Sequence, residues 1–100
     1  MDRFEEAVQQ ALDSIPEPFW RYLENTEFVI ADSHPEGLMG LYEGATALYS
    51  GEEFPERVTI YKRSHERACD TWSELVEEVR RTILHEIGHH FGMEEEDLPY

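Results

Sequence analysis

Cysteine is almost missing from this 100-residue chain: Cys69 stands alone, so no disulfide can form within it. That suits a reducing compartment, and a cytoplasmic location is the expectation. Cys69 itself reads as a small apolar packing residue. Long apolar runs are missing too. No stretch approaches the roughly 20 residues of a membrane-spanning helix, so no membrane partner is expected. The opening MDRFEEAVQQAL has neither the basic start nor the apolar run of a secretory leader, and none is expected. Basic residues are scarce, with 8 Lys and Arg against 23 Asp and Glu, for a formal charge of −15. Such a chain repels polyanions, so nucleic acid is excluded as an expected partner. The charge favours solubility and, if it selects partners at all, cationic ones. No repeat, linker or low-complexity segment breaks the chain.

What is present is the composition of a folded domain: 40% apolar and 31% charged residues. A single domain spanning 1–100 is expected, with one modest core and no room for two lobes around a deep cleft. Phe4, Val8, Ala11, Leu12 and Ile15 recur at helical spacing over the first fifteen residues, and Asp2 with Glu5 has the spacing of a capping box. PEP at 16–18 ends that helix, and FWRYLEN offers a short second one opened by Pro18. TEFVIAD (26–32) reads as a strand, SHPEG as a turn, and LMGLYEG (38–44) as a strand interrupted by glycine. ALYSGEEFPE (47–56) reads mostly as loop. RVTIYK (57–62) alternates and is β-branched, which makes it the clearest strand. RSHERACD suggests a helical turn. A long helix then starts near Thr71, whose spacing to Glu74 is again that of a capping box, and runs to Phe91. Gly92 is placed to stop it. The fold class is α+β: two N-terminal helices, a small sheet, and a long C-terminal helix packed on it.

That last helix carries HEIGHHFGM (85–93). With His85 at 0° on a helical wheel, His89 falls near 40°, whereas Leu75, Val76, Val79, Ile83, Leu84, Ile87 and Phe91 span about 80° to 260°. A histidine that merely packs belongs inside the apolar stripe. His85 and His89 lie outside it; His90, near 140°, lies within it and is expected to pack rather than to bind metal. Imidazoles four residues apart, with Cβ atoms about 5–6 Å from each other, converge on one Zn²⁺. Glu86, one position round, is set to face water instead of the ion, the place of a general base. Two histidines leave a catalytic zinc site one protein ligand short. Only eleven residues follow His89. Gly92 permits a reversal, and Glu95, three residues on, is the expected third ligand, with Glu94, Glu96 and Asp97 as competitors. Upstream, His34, His65 and Asp32 are weaker candidates, each read as an ordinary turn residue.

The pattern His85-Glu86-x-x-His89-x-x-Gly92-x-x-Glu95 resembles the zincin metallopeptidases. It is similar to the metzincin pattern, with an acidic residue in place of the third histidine. GLYEG (40–44), ERVTIYKR (56–63), LVEEVRRTILHEIGHHFG (75–92) and MEEEDL (93–98) resemble a family of small bacterial zincin-like proteins labelled as zinc metallopeptidases. The resemblance runs from about Leu38 to Leu98, and the long helix segment is its most specific part. It implies a minimal zincin-like domain with a short sheet beside the motif helix, His85, His89 and Glu95 as ligands of one zinc ion per chain, and Glu86 as base. The chain departs from the metzincins in lacking their methionine-containing turn at its usual distance; Met93 is too close to be its equivalent.

Two functions are compatible with these residues. In the first the protein is a zinc metallopeptidase. Zinc lowers the pKa of its water toward about 7 and Glu86 takes the proton. Tyr42, Tyr49, Tyr61 or Arg81 would help hold the oxyanion. A peptide or protein substrate would lie along a sheet edge, for which LMGLYEG is suited. In the second, the protein is a non-catalytic structural or interaction module whose zinc ties the acidic tail to the helix. Three protein ligands plus water mark the first, and four protein ligands the second.

Overall fold

Asp2 opens the first helix. Its side chain accepts the Glu5 N–H at 2.9 Å, which satisfies one of the orphan donors of the first turn, and the helix α1 follows as Arg3–Asp13. The computed structural model describes residues 2–24, 26–43 and 56–90, with residues 89 and 90 described through their backbone. Phe4, Ala7, Val8 and Ala11 form the buried stripe of α1. Ile15 lies past the helix end yet is equally buried. A 3₁₀ turn at Glu17–Phe19, with Pro18 inside it, leads into the short helix α2, Trp20–Leu23.

Three strands make the sheet of the described residues: β1 (Thr26–Ala31), β2 (Gly40–Glu43) and β3 (Glu56–Tyr61), in the order β1-β3-β2. β3 is central. It pairs in parallel with β1, Phe28 beside Val58 and Ile30 beside Ile60, and antiparallel with β2, Gly40 beside Ile60 and Tyr42 beside Val58. Being flanked on both sides, β3 is the most buried strand, with Val58 and Ile60 fully buried. β2 lies at one edge.

Helix α3 (Lys62–Ala68) leaves β3 without an intervening turn. Its start is tied to the segments around it: the Arg63 N–H donates to the Asp32 carbonyl at 2.9 Å, and the Ser64 hydroxyl donates to the Leu38 carbonyl at 2.8 Å. The expected strand therefore yields its last residue, Lys62, to a helix. Helix α4 follows as Trp72–His90. The capping box before it is reciprocal: the Glu74 N–H donates to Thr71 Oγ1 at 3.2 Å, and the Thr71 N–H donates to Glu74 Oε1 at 3.1 Å. Phe91 and the expected stop at Gly92 lie outside the described residues, as do residues 47–55 of the loop expected over 47–56; its last residue, Glu56, instead begins β3.

The core joins three elements. Phe4, Val8 and Ala11 of α1 meet Val58 and Ile60 of β3 and Val79, Ile83, Leu84 and Ile87 of α4. The architecture is α+β, helices against a small mixed sheet, and α4 is held from both sides, by α1 and by β2 with β3.

Candidate metal centre

The faces of α4 divide as the wheel requires. Val79, Ile83, Leu84 and Ile87, at most 2% exposed, point into the core. Glu78, Arg81, Thr82 and His85, spaced i, i+3, i+4 and i+7, form a polar stripe on another side. With Glu86 and Met39 they line an open cleft of about 380 Å³. His85 and Glu86 are both half-buried there. An imidazole and a carboxylate at the wall of an open cleft, not engulfed by the core, suit a divalent metal and its water.

His89 continues the same unbroken helix one turn beyond His85. Its side chain, that of His90, and Glu95 with its competitors Glu94, Glu96 and Asp97 lie outside the described residues. Among the described residues no three His, Cys, Asp or Glu side chains gather into a set able to hold a metal. The structure thus places His85 and Glu86 together at the cleft.

The upstream candidates serve other ends. His34 sits in the turn after β1, where its Nδ1 accepts the Glu36 N–H at 3.0 Å and its ring meets Tyr61 edge-on at 5.3 Å. Asp32 is exposed and lends its backbone carbonyl to α3. His65 is a correction to the sequence reading. It is no turn residue but a fully buried member of α3, 0% exposed. Nδ1 lies 2.8 Å from the Tyr61 carbonyl and Nε2 lies 2.8 Å from Thr82 Oγ1, with the Phe4 ring 5.8 Å away. Tyr61, Ser64 and His65, at i, i+3 and i+4, are all buried, and that helical spacing was the available signal. Burial pushes the His65 pKa below its ordinary value, against the opposing pull of the Tyr61 carbonyl and the Glu78 carboxylate. A carbonyl only accepts, so in neutral His65 the proton sits on Nδ1 and Nε2 accepts from the Thr82 hydroxyl, whose single proton is shared with the Glu78 carbonyl 3.0 Å away.

Gly40, by sequence an interruption of the strand 38–44, is the first residue of β2, and its lack of a side chain lets strand and helix meet. A Cβ built on it would stand 2.6 Å from Thr82 Cγ2, 3.3 Å from the Thr59 carbonyl oxygen and 3.4 Å from Glu86 Cγ. The edge strand therefore runs directly beside Glu86. Of the four oxyanion-donor candidates, Arg81 lines the cleft, paired to Glu78 at 3.5 Å. Tyr61 is buried against the His34 ring, and burial with the Glu56 carboxylate raises the Tyr42 phenol above its ordinary pKa. Tyr49 lies outside the described residues.

Against this geometry, the family model of the zincin-like metallopeptidases matches residues 22–100. The chain belongs to the zincin-like metallopeptidase family. Membership in this zinc-binding family accounts for the HExxH stripe on α4. Helix α1 precedes the matched region, although it packs directly on the motif helix. The fold is similar to a solved structure, a conserved hypothetical protein from Thermo thermophilus. The likeness covers 89% of this chain and 91% of that one, with 26% identity and a TM-score of 0.62. No functionally curated protein matches the chain. Among the described residues no helix is long and apolar enough to cross a membrane.

Proposed function

We propose that this zincin-like protein is a zinc-dependent peptidase, with His85, His89 and Glu95 as the metal ligands and Glu86 as the general base. The observation that carries the reading is the position of Glu86: it shares the cleft wall with His85 and lies against Gly40 of the edge strand β2. Zinc, when bound, supplies Lewis acidity that lowers the pKa of water and polarises a carbonyl. The other steps belong to the chain. A peptide added antiparallel to β2 brings its backbone past Glu86, since residue 40 has no side chain to hold it off. Glu86 takes the proton of the attacking water and returns it to the departing amine. Arg81, one turn before His85, donates to the oxygen on which charge develops.

Glu86→Gln tests this directly, because it keeps the shape and removes the base. Unstructured peptides incubated with zinc-loaded protein and read by mass spectrometry should be cut by the wild type and not in the presence of chelator. The variant should keep its zinc and fold while turnover falls by about 10²–10⁴-fold. Cleavage that needs the metal but is indifferent to Glu86→Gln refutes the assignment. Four protein ligands in a metal-loaded structure would make the zinc structural.

A further inference from the structure

Thr82 occupies the point where three elements meet. Its hydroxyl bonds His65 of α3, its methyl fills the gap over Gly40 of β2, and its own helix carries Glu86 one turn later. A threonine in a helix divides between two side-chain rotamers. Here the oxygen is held 2.8 Å from His65 Nε2 and 3.0 Å from the Glu78 carbonyl, which fixes the rotamer that turns Cγ2 toward Gly40. The Glu78 carbonyl is the ordinary i−4 partner of any helical threonine. His65 is the partner that this fold adds, and it is buried to supply it.

We propose that His65 is a positioning residue of the cleft: through the Thr82 hydroxyl it locks the methyl against Gly40 and so sets how closely the edge strand approaches Glu86. The distance between β2 and Glu86 decides where a strand-bound peptide would lie, so the functional meaning rests on the peptidase reading, whereas the clasp does not. Among the described residues the His65 ring bonds the Tyr61 carbonyl and the Thr82 hydroxyl. It acts through Thr82 alone.

Two substitutions of the same chemistry and different reach separate this role from simple packing. In His65→Gln the amide carbonyl sits near the place of Nε2 and still accepts from Thr82. In His65→Asn the amide stays near the place of Nδ1, keeps the Tyr61 carbonyl and falls short of Thr82. The readout is the nuclear Overhauser cross-peak between the Thr82 methyl and the Gly40 α-protons, recorded on the full chain. It should be present in the wild type and in His65→Gln and lost in His65→Asn. Thr82→Ser keeps the hydroxyl without the methyl and confirms the assignment of the peak. Retention in His65→Asn, or equal loss in both variants, overturns the proposal. If His65→Asn does not fold, His65→Leu takes its place, since it fills the space and offers no acceptor to Thr82; an unchanged Thr82 methyl contact to Gly40 there overturns the proposal equally. Zinc titration of each variant is the control. Affinity should be unchanged, because none of these substitutions removes an expected ligand. A wild type that takes up no zinc would sink the peptidase reading while the cross-peak comparison still judges the clasp.

Discussion

His65 shows how one side chain is decided by what surrounds it. Buried among the Phe4 ring, the Tyr61 carbonyl and Thr82, it is held neutral, with its pKa below the ordinary value; only the Glu78 carboxylate and the carbonyl bonds pull the other way. The native state therefore resists the proton that the unfolded chain accepts near pH 6.5. The stabilisation is fully present above that pH and is lost as pH falls toward the folded pKa. With chelator present, so that metal release does not contribute, wild-type denaturation midpoints should fall between about pH 7 and pH 5 more steeply than those of His65→Gln. Parallel curves would show that His65 is not the group responsible. The sequence hid this residue because KRSHERA holds few apolar residues to mark a buried face. His85 and Glu86 were legible, because the position of a residue on a long amphipathic helix follows from counting alone.

Elements formed by local bonds could be read in advance, and those formed by distant ones could not. Both capping boxes, Asp2 with Glu5 and Thr71 with Glu74, were visible as spacings three apart, and both sites form N-caps. Thr71→Ala removes the acceptor for the Glu74 N–H ahead of the helix that carries the metal motif. It should cost about 0.5–2 kcal/mol in urea denaturation; no loss would mean that Glu74 alone holds the first turn. The strand RVTIYK was legible from its alternation. Its parallel register with β1 and the onset of α3 were not, since Arg63 finds its partner thirty-one residues back, at Asp32. The close approach of β2 to α4 was marked only by a glycine in a strand pattern. Gly40→Ala tests it. Thr82 is short and tied to His65, so it has little freedom to yield to a carbon 2.6 Å away. The strand must move from the helix, with destabilisation of about 1–3 kcal/mol. Wild-type stability in that variant would show that strand and helix are less tightly apposed than this.

At the scale of the whole molecule, charge and metal oppose each other. The chain carries −15. The described ion pairs, Glu27–Arg57, Asp2–Lys62, Glu77–Arg80 and Glu78–Arg81, all lie at the surface, where such pairs contribute little. Self-repulsion is the larger effect, so added salt should raise the melting temperature of the metal-depleted protein, and a fall would mean that the pairs matter more than the excess. Zinc bound as proposed, and only by the folded chain, would relieve the same strain locally and stabilise the fold through mass action. Free zinc at 100 times its dissociation constant contributes about 2.7 kcal/mol. For a domain of this size that is a rise of roughly 10–20 °C. Diffuse attraction of any cation to an acidic surface would mimic the sign of this effect but not its selectivity. Zinc should therefore stabilise the wild type far more than magnesium, which prefers oxygen donors and keeps its waters. The rise should vanish in the double variant His85→Ala with His89→Ala. It should shrink much more in Glu95→Ala than in Glu94→Ala or Glu96→Ala. Equal stabilisation by magnesium, or equal effects of the three glutamates, would reduce the metal site to a cloud of negative charge around a helix that happens to carry histidines.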